Sequence, residues 1–393
     1  MNHILAHLPR SGVRRIADKV IELDLKKSHI IHLGLGQYNE PASAQILRSA
    51  SEAALQGYSK YTHNCGLLEL RTAIKKKLET FNHIVGISEN NIFVTPGATY
   101  GISISVGCLI NPGDEVLVPD PGYPNFANAV LHFGGKVKYY SLQDENDYRI
   151  DFDQLESLVT PQTKMMILNS PSNPIGMVLN RSQIESVTQF VKNHHLWLLS
   201  DEVYETYVYS GHHISPMSLS DDPHIVGVYS FSKSYNMSGF RIGYIVAKDI
   251  DLCRGLMNAQ ELYISSAPTL SQKVAIDVLH SFQNVAMSLK DKISDHRNLA
   301  LTMLNKHINY HPQGAFYVLV DICKTGLTSD EFADYLLEYE NVAVTPCATF
   351  GPSGDSYIRI SLTEDREKLA EGIRRICKFL ERKDFLNMRS KID

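Results

Sequence analysis

The chain has 393 residues, 44% hydrophobic and 21% charged, with 38 basic against 43 acidic side chains and a net charge of −5. That balance describes a globular chain of two or three domains and excludes a disordered or fibrous one. It supplies no field to hold nucleic acid or an anionic membrane, so the expected partner is a small molecule.

No apolar run approaches the roughly 18 residues that span a bilayer. Met1–Lys27 lacks the apolar core of a signal peptide. Ile16, Val20 and Leu23 recur there at helical spacing among Arg14, Arg15, Asp18 and Glu22, which predicts a packed amphipathic helix. Further along, short apolar runs alternate with amphipathic stretches, the pattern of βαβ units and a mainly parallel sheet. Strands are expected at Ile92–Thr95, Glu115–Val118, Lys136–Ser141, Met165–Leu168, Trp197–Ser200, Ile225–Ser230 and Ile242–Val246. Helical patterns occupy Tyr100–Leu109, Asn125–Phe133 and Ser182–His194, with a Pro-Gly turn at 109–114. Helical patterns then run from Leu270 to Asn309, followed by a mixed tail with strands near Ala315–Val320 and Tyr357–Ser361. The expected organisation is a large α/β domain at 46–285 and a smaller α+β domain from residues 1–45 and 286–393.

The six cysteines (65, 108, 253, 323, 347 and 377) form no CxxC pair or zinc spacing, so they read as buried thiols in a reducing compartment. His194-His195 and His212-His213 are neighbours that do not share a face, and no metal site is expected. Charges from Glu364 to Lys383 alternate around Leu369, Ile373, Ile376 and Leu380, as on the solvated side of a C-terminal helix.

Five segments at strand ends carry chemistry, each with a plainer alternative. Val94-Thr95-Pro96-Gly97-Ala98-Thr99 is a strand, a Gly turn and a helix start, a phosphate site or a simple βα turn. Asp120-Pro121-Gly122-Tyr123-Pro124 presents Tyr123 from a stiff turn, or packs it under a loop. Asn169-Ser170-Pro171-Ser172-Asn173-Pro174-Ile175-Gly176 aims Asn173 from a rigid turn, or is a plain loop. In Ser200-Asp201-Glu202-Val203-Tyr204, Asp201 can hold a pyridinium N–H and Tyr204 a phenolic oxygen, or Asp201 caps a helix. In Ser230-Phe231-Ser232-Lys233, followed by Arg241, an amine able to form a Schiff base stands among phosphate donors, or is a surface lysine. Ligands of open α/β sheets bind at that carboxyl edge.

Taken together and in this order, the segments make the chain similar to the pyridoxal-phosphate-dependent aminotransferases of fold type I, class I/II, from about Ile31 to Phe379. The resemblance implies a mostly parallel seven-stranded sheet between helices, with a smaller domain from both chain ends. It implies that Lys233 bonds the aldehyde of pyridoxal 5′-phosphate, Asp201 pairs with the ring nitrogen, and Tyr204 and Asn173 bond the ring's 3′ oxygen. Tyr123 would stack on the ring. Ser230, Arg241 and the turn Gly97-Ala98-Thr99 would hold the phosphate. Tyr61 matches a tyrosine that reaches the neighbouring subunit's phosphate, which implies a homodimer. Arg359 matches the arginine that grips the substrate α-carboxylate, and Gly36 the glycine whose loop closes over it.

The implied activity is ping-pong transfer of an amino group from an L-amino acid to a 2-oxo acid through a pyridoxamine form; the cysteine pattern and the lack of a signal-peptide core place it in the cytoplasm as an expectation. Lys233 would act as base, its pKa lowered by Arg241 and the cationic ring. Alternatives on the same fold are a C–S lyase or cyclopropane-forming synthase, and a non-catalytic effector module. The effector modules carry an N-terminal DNA-binding region, where only a short charged helix precedes Gly34 here. Phe240 stands where many relatives have Trp, Gln37-Tyr38-Asn39-Glu40-Pro41 is an unusual substrate loop, and Thr99 replaces a lysine of some dicarboxylate-specific relatives. A side-chain pocket of Gln37, Tyr38, Tyr123 and partner residues near Tyr61 and 263–266 is expected to favour a neutral or aromatic donor.

Overall fold

A computed structural model describes residues 11–24, 29–142, 148–281 and 283–382, the side chains of residues 23, 24 and 283 excepted. Leu23's expected place in the apolar stripe, residues 1–10 and Lys383 lie outside the described residues. The helix Gly12–Asp24 forms as its pattern demands, with Ile16 and Val20 buried one turn apart.

Strand β1 is Ile31–His32. The large sheet contains β2 (Ile92–Thr95), β3 (Glu115–Asp120), β4 (Lys136–Ser141), β5 (Thr163–Asn169), β6 (Trp197–Asp201), β7 (Ile225–Ser230) and β8 (Gly243–Val246). Its order is β2-β8-β7-β6-β5-β3-β4. β8 runs antiparallel to β2 and β7, and the remaining pairs are parallel. Strands covered on both faces read as continuous apolar runs, and β7 is buried throughout. Successive residues of β5 divide between two apolar clusters, Met166 and Leu168 in one, Met165 and Ile167 in the other. That division is the strand's two-residue alternation expressed as two cores, one on each face.

A second, antiparallel sheet joins β9 (Tyr317–Asp321), β11 (Thr345–Pro346) and β12 (Tyr357–Ser361), in the order β11-β12-β9. β10 (Val342–Ala343) pairs with β1, so residues from the two ends of the chain share one small parallel ladder. Ile16, Val20 and Leu33 accordingly pack in one cluster with Val318, Phe332, Ile360 and Ile373. The helix Ser329–Glu340 starts on a capping box of Thr328 and Glu331, and Arg366–Leu380 on Asp365, which accepts from the Glu367 N–H.

Three expectations need correction. The helical patterns expected from 270 to 309 are the helices Thr269–Ser281 and Gln283–Met303, and they end at Met303 rather than Asn309. Cys65 and Cys347 are buried, but Cys108 and Cys323 are exposed and Cys253 and Cys377 half-buried, since scattered spacing does not say which face a thiol takes. Glu364 is buried rather than solvated: Asn39 donates to one carboxylate oxygen and the Asp365 N–H to the other at 2.9 Å. Paired donors offset the cost of removing that group from water. Among the described residues no helix is long and apolar enough to cross a membrane.

Candidate active site

Thr95, the last residue of β2, and Ser230, the last of β7, are both in register with Gly243 at the start of β8. The carboxyl ends of the parallel strands and the start of β8 therefore meet at one edge. The turns that follow open on a cavity of about 550 Å³. Lys233, Asp201, Tyr204, Ala98, Thr99, Tyr123, Asn173, Ser230, Arg241, Gly36 and Arg359 all line it. Gly97 stands just behind, and Tyr61 lies outside.

Lys233 sits in the single helical turn Phe231–Ser234, capped by Ser230, whose Oγ accepts the Ser232 N–H at 3.1 Å. Its Nζ donates to the Gly36 carbonyl at 2.7 Å. Burial, then the Arg359 and Arg241 guanidiniums, bring the amine down to about 8, against the pull of Asp201. Asp201, at the end of β6, is pushed up to about 7 by burial; the Val203 N–H opposes this, Glu202 adds to it and Lys233 opposes it. The Val203 N–H reaches Oδ1 at 3.2 Å, and turn residues follow rather than a helix, so the capping alternative is reduced to one turn bond. A buried carboxylate with so few donors is prepared to take an N–H from a ligand.

Asn169, in register with Asp201, donates to the Asp201 carbonyl at 3.0 Å and accepts the Asn173 N–H at 2.7 Å. The proline turn thus holds Asn173 so that its Oδ1 accepts from Arg359 Nη1 at 2.8 Å. Arg359 also donates to the Gly34 carbonyl at 2.7 Å and Thr345 Oγ1 at 3.2 Å. Its guanidinium carbon lies 4.1 Å from the Tyr317 ring centre and 4.8 Å from that of Phe350, which fixes the plane of the fork. Its Nε is buried with no hydrogen-bond partner.

The Tyr204 hydroxyl lies 2.9 Å from that of Tyr317. Tyr123 accepts from Asn125 Nδ2 at 2.9 Å, with Thr99 Oγ1 at 3.4 Å. Gly97 caps the helix Ala98–Leu109 at φ +87°, and a Cβ there would overlap the Arg241 guanidinium. The first N–H groups of that helix have no intrahelical partner, so Arg241 and a bare helix N-terminus converge as an anion cradle. Gly36 is equally confined, since a Cβ would overlap the Tyr317 hydroxyl.

Tyr38 departs from its expected place in the side-chain pocket. It is buried in the core of the smaller sheet, its hydroxyl 2.9 Å from that of Tyr207. Sequence reasoning missed Tyr317 and Phe350, which carry no motif, and Asn169, whose position at a strand end beside Asp201 was the available signal. It also left open Ser11, Val13 and Arg14, which line the cavity because the Gly12 N–H is held by Thr349 Oγ1 at 2.9 Å.

An amine of lowered pKa, a donor-poor carboxylate, an anion cradle and an aromatic wall fit a phosphorylated pyridine aldehyde. The family profile described as aminotransferase class I and II matches residues 28–376. An aromatic-amino-acid aminotransferase of Thermococcus litoralis is 33% identical over 373 residues, 93% of this chain and 95% of that protein. An aspartate aminotransferase of Pyrococcus abyssi is 34% identical over 372 residues, with coverage of 93% and 95%. The crystal structure of an aromatic aminotransferase from Pyrococcus horikoshii superposes with a TM-score of 0.86 at 34% identity, covering 93% of this chain and 98% of that one.

The chain belongs to the class I and II aminotransferase family. It is a pyridoxal-phosphate-dependent enzyme of fold type I that transfers amino groups.

Proposed function

We propose that this aminotransferase takes the amino group of an L-amino acid with a neutral or aromatic side chain and passes it to a 2-oxo acid in two half-reactions at one site. The observation that carries this reading is Lys233, an amine brought down to about 8 in the same cavity as Arg359 and Asp201. Arg359 would grip the substrate α-carboxylate with its planar fork, as Lys could not. Asp201 would hold the proton on the ring nitrogen, Tyr204 and Asn173 would bond the 3′ oxygen, and Tyr123 would stack on the ring. Gly97, Ala98, Thr99, Ser230 and Arg241 would hold the phosphate. The cofactor, when bound, supplies the electron sink for the carbanion at Cα. Lys233 Nζ is the base that takes the Cα proton.

Gln37, Tyr317 and Phe350 on the cavity wall support an uncharged side chain, as do the relatives named for aromatic amino acids. Arg14 favours a second reading, an acidic donor, because this basic residue also lines the cavity and the Pyrococcus abyssi relative is named for aspartate. Rates for a panel of single amino acids decide between them: phenylalanine, tyrosine and leucine lead on the first reading, aspartate and glutamate on the second.

The division into a large domain at 46–285 and a small one from both ends is part of the proposal, supported by the β1–β10 ladder. So are a homodimer completed by the exposed Tyr61 and a cytoplasmic location.

A further inference from the structure

Lys233 ends its side chain in the cavity, but its backbone is held elsewhere. The helical turn Phe231–Ser234 is too short to satisfy its own last carbonyls. The Tyr207 hydroxyl donates to the Lys233 carbonyl at 2.9 Å, and the Tyr38 hydroxyl lies 2.9 Å from the Tyr207 oxygen. A phenol has one proton. Tyr207 spends its proton on the carbonyl, so Tyr38 must be the donor to Tyr207, which sets the direction of the chain from Tyr38 through Tyr207 to Lys233. Tyr207 is 0% and Tyr38 6% exposed, so water cannot replace either hydroxyl.

Tyr38 stands two residues beyond Gly36, whose carbonyl accepts from Lys233 Nζ, and four beyond Gly34, whose carbonyl accepts from Arg359. One loop thus touches the lysine at its tip and the arginine, and reaches the lysine's backbone through Tyr207. We propose that Tyr207 and Tyr38 are positioning residues that fasten the main chain of Lys233 to the substrate loop, so that loop and lysine keep one register. Burial pushes both hydroxyls well up from the ordinary phenol range, so neither ionises at working pH and the link is static rather than a proton path. The proposal rests on Lys233 being the reactive lysine.

The test uses holoenzyme of the parent, Tyr207→Phe, Tyr38→Phe and the double variant. Single-turnover rate and donor affinity are read with one amino acid, together with the pH midpoint of the visible cofactor band. A lysine displaced by a fraction of an ångström loses rate more than affinity, so Tyr207→Phe is expected to slow turnover about tenfold with affinity changed less than about threefold. The band midpoint shifts because Nζ moves relative to Arg359 and Arg241, a readout that a loss of general stability would not move. Tyr38→Phe loses less, and the double variant is no slower than Tyr207→Phe, since Tyr38 then has nothing left to hold.

Parent rate and midpoint in Tyr207→Phe, or losses that sum in the double variant, overturn the proposal. If Tyr207→Phe folds poorly, Tyr38→Phe decides: parent values there overturn it too. Borohydride reduction and peptide mapping of the parent separate the two layers. A label away from Lys233 removes the reading beneath, whereas a label on Lys233 with unaltered variants removes only the proposal.

Discussion

Arg359 donates from Nη1 to Asn173 Oδ1 at 2.8 Å, joining β12 of the small sheet to the turn after β5 of the large one. The same guanidinium is held flat by Tyr317 and Phe350, so its orientation belongs to both sheets at once. An exposed arginine could swing; this one is 2% exposed and cannot.

Arg359→Lys should therefore cost more than a conserved charge suggests. A lysine cannot donate to Asn173, Gly34 and a substrate carboxylate in one plane, and losing a charged hydrogen bond costs about 1.5–3 kcal/mol. The expected result is a fall on the order of a hundredfold in kcat/KM for the amino acid, with the cofactor still bound. Steady-state kinetics beside a cofactor titration check it.

The pH dependence follows from Lys233. Burial and two arginines hold its amine down to about 8, so half of it is neutral there. A base must be neutral to accept a proton, and a lowered pKa moves that condition towards physiological pH. The rate of Cα proton removal should rise about tenfold per unit below 8 and level off above it. Single-turnover rates across that range test the sign; a rate that falls as pH rises would contradict it.

Gly97→Ala probes the anion cradle. The position has φ +87°, and a Cβ would overlap the Arg241 guanidinium. Backbone strain of about 1–3 kcal/mol and a displaced arginine together predict cofactor binding weakened about tenfold or more. Equilibrium dialysis with pyridoxal 5′-phosphate reads this directly.

Tyr61 is 86% exposed in the single chain. If it reaches the phosphate of a second copy, sedimentation should give a dimer and Tyr61→Phe should weaken cofactor binding by about 1.5–3 kcal/mol, the worth of one hydrogen bond to a charged group. A fully active monomer would defeat the assignment.

The large sheet was legible because most of its strands are apolar runs and all of them have turn signals at either end. β2, β4 and β7 begin and end where the sequence expects them. The carboxyl ends of the sheet's strands also carried the readable site residues, since Asp201 ends β6 and Tyr123, Asn173 and Lys233 follow β3, β5 and β7. Tyr317 and Phe350 were not legible, because Tyr317 comes from the small sheet and Phe350 from the short helical turn Cys347–Phe350 after β11, and only the fold brings them beneath Arg359. Tyr38 was misplaced for a related reason: a loop has no period, so nothing in the sequence says which way its side chain turns. Glu364 was misread because a run of charges hides the one that finds buried donors.

The role of Lys233 is tested by the absorbance spectrum of the holoenzyme and of Lys233→Ala, before and after an amino acid is added without any oxo acid. The parent's visible band is expected to give way to the near-ultraviolet band of the aminated cofactor, and the variant to convert at least about a hundredfold more slowly. A parent band that no amino acid changes, or a variant that converts at the parent's rate, would contradict it.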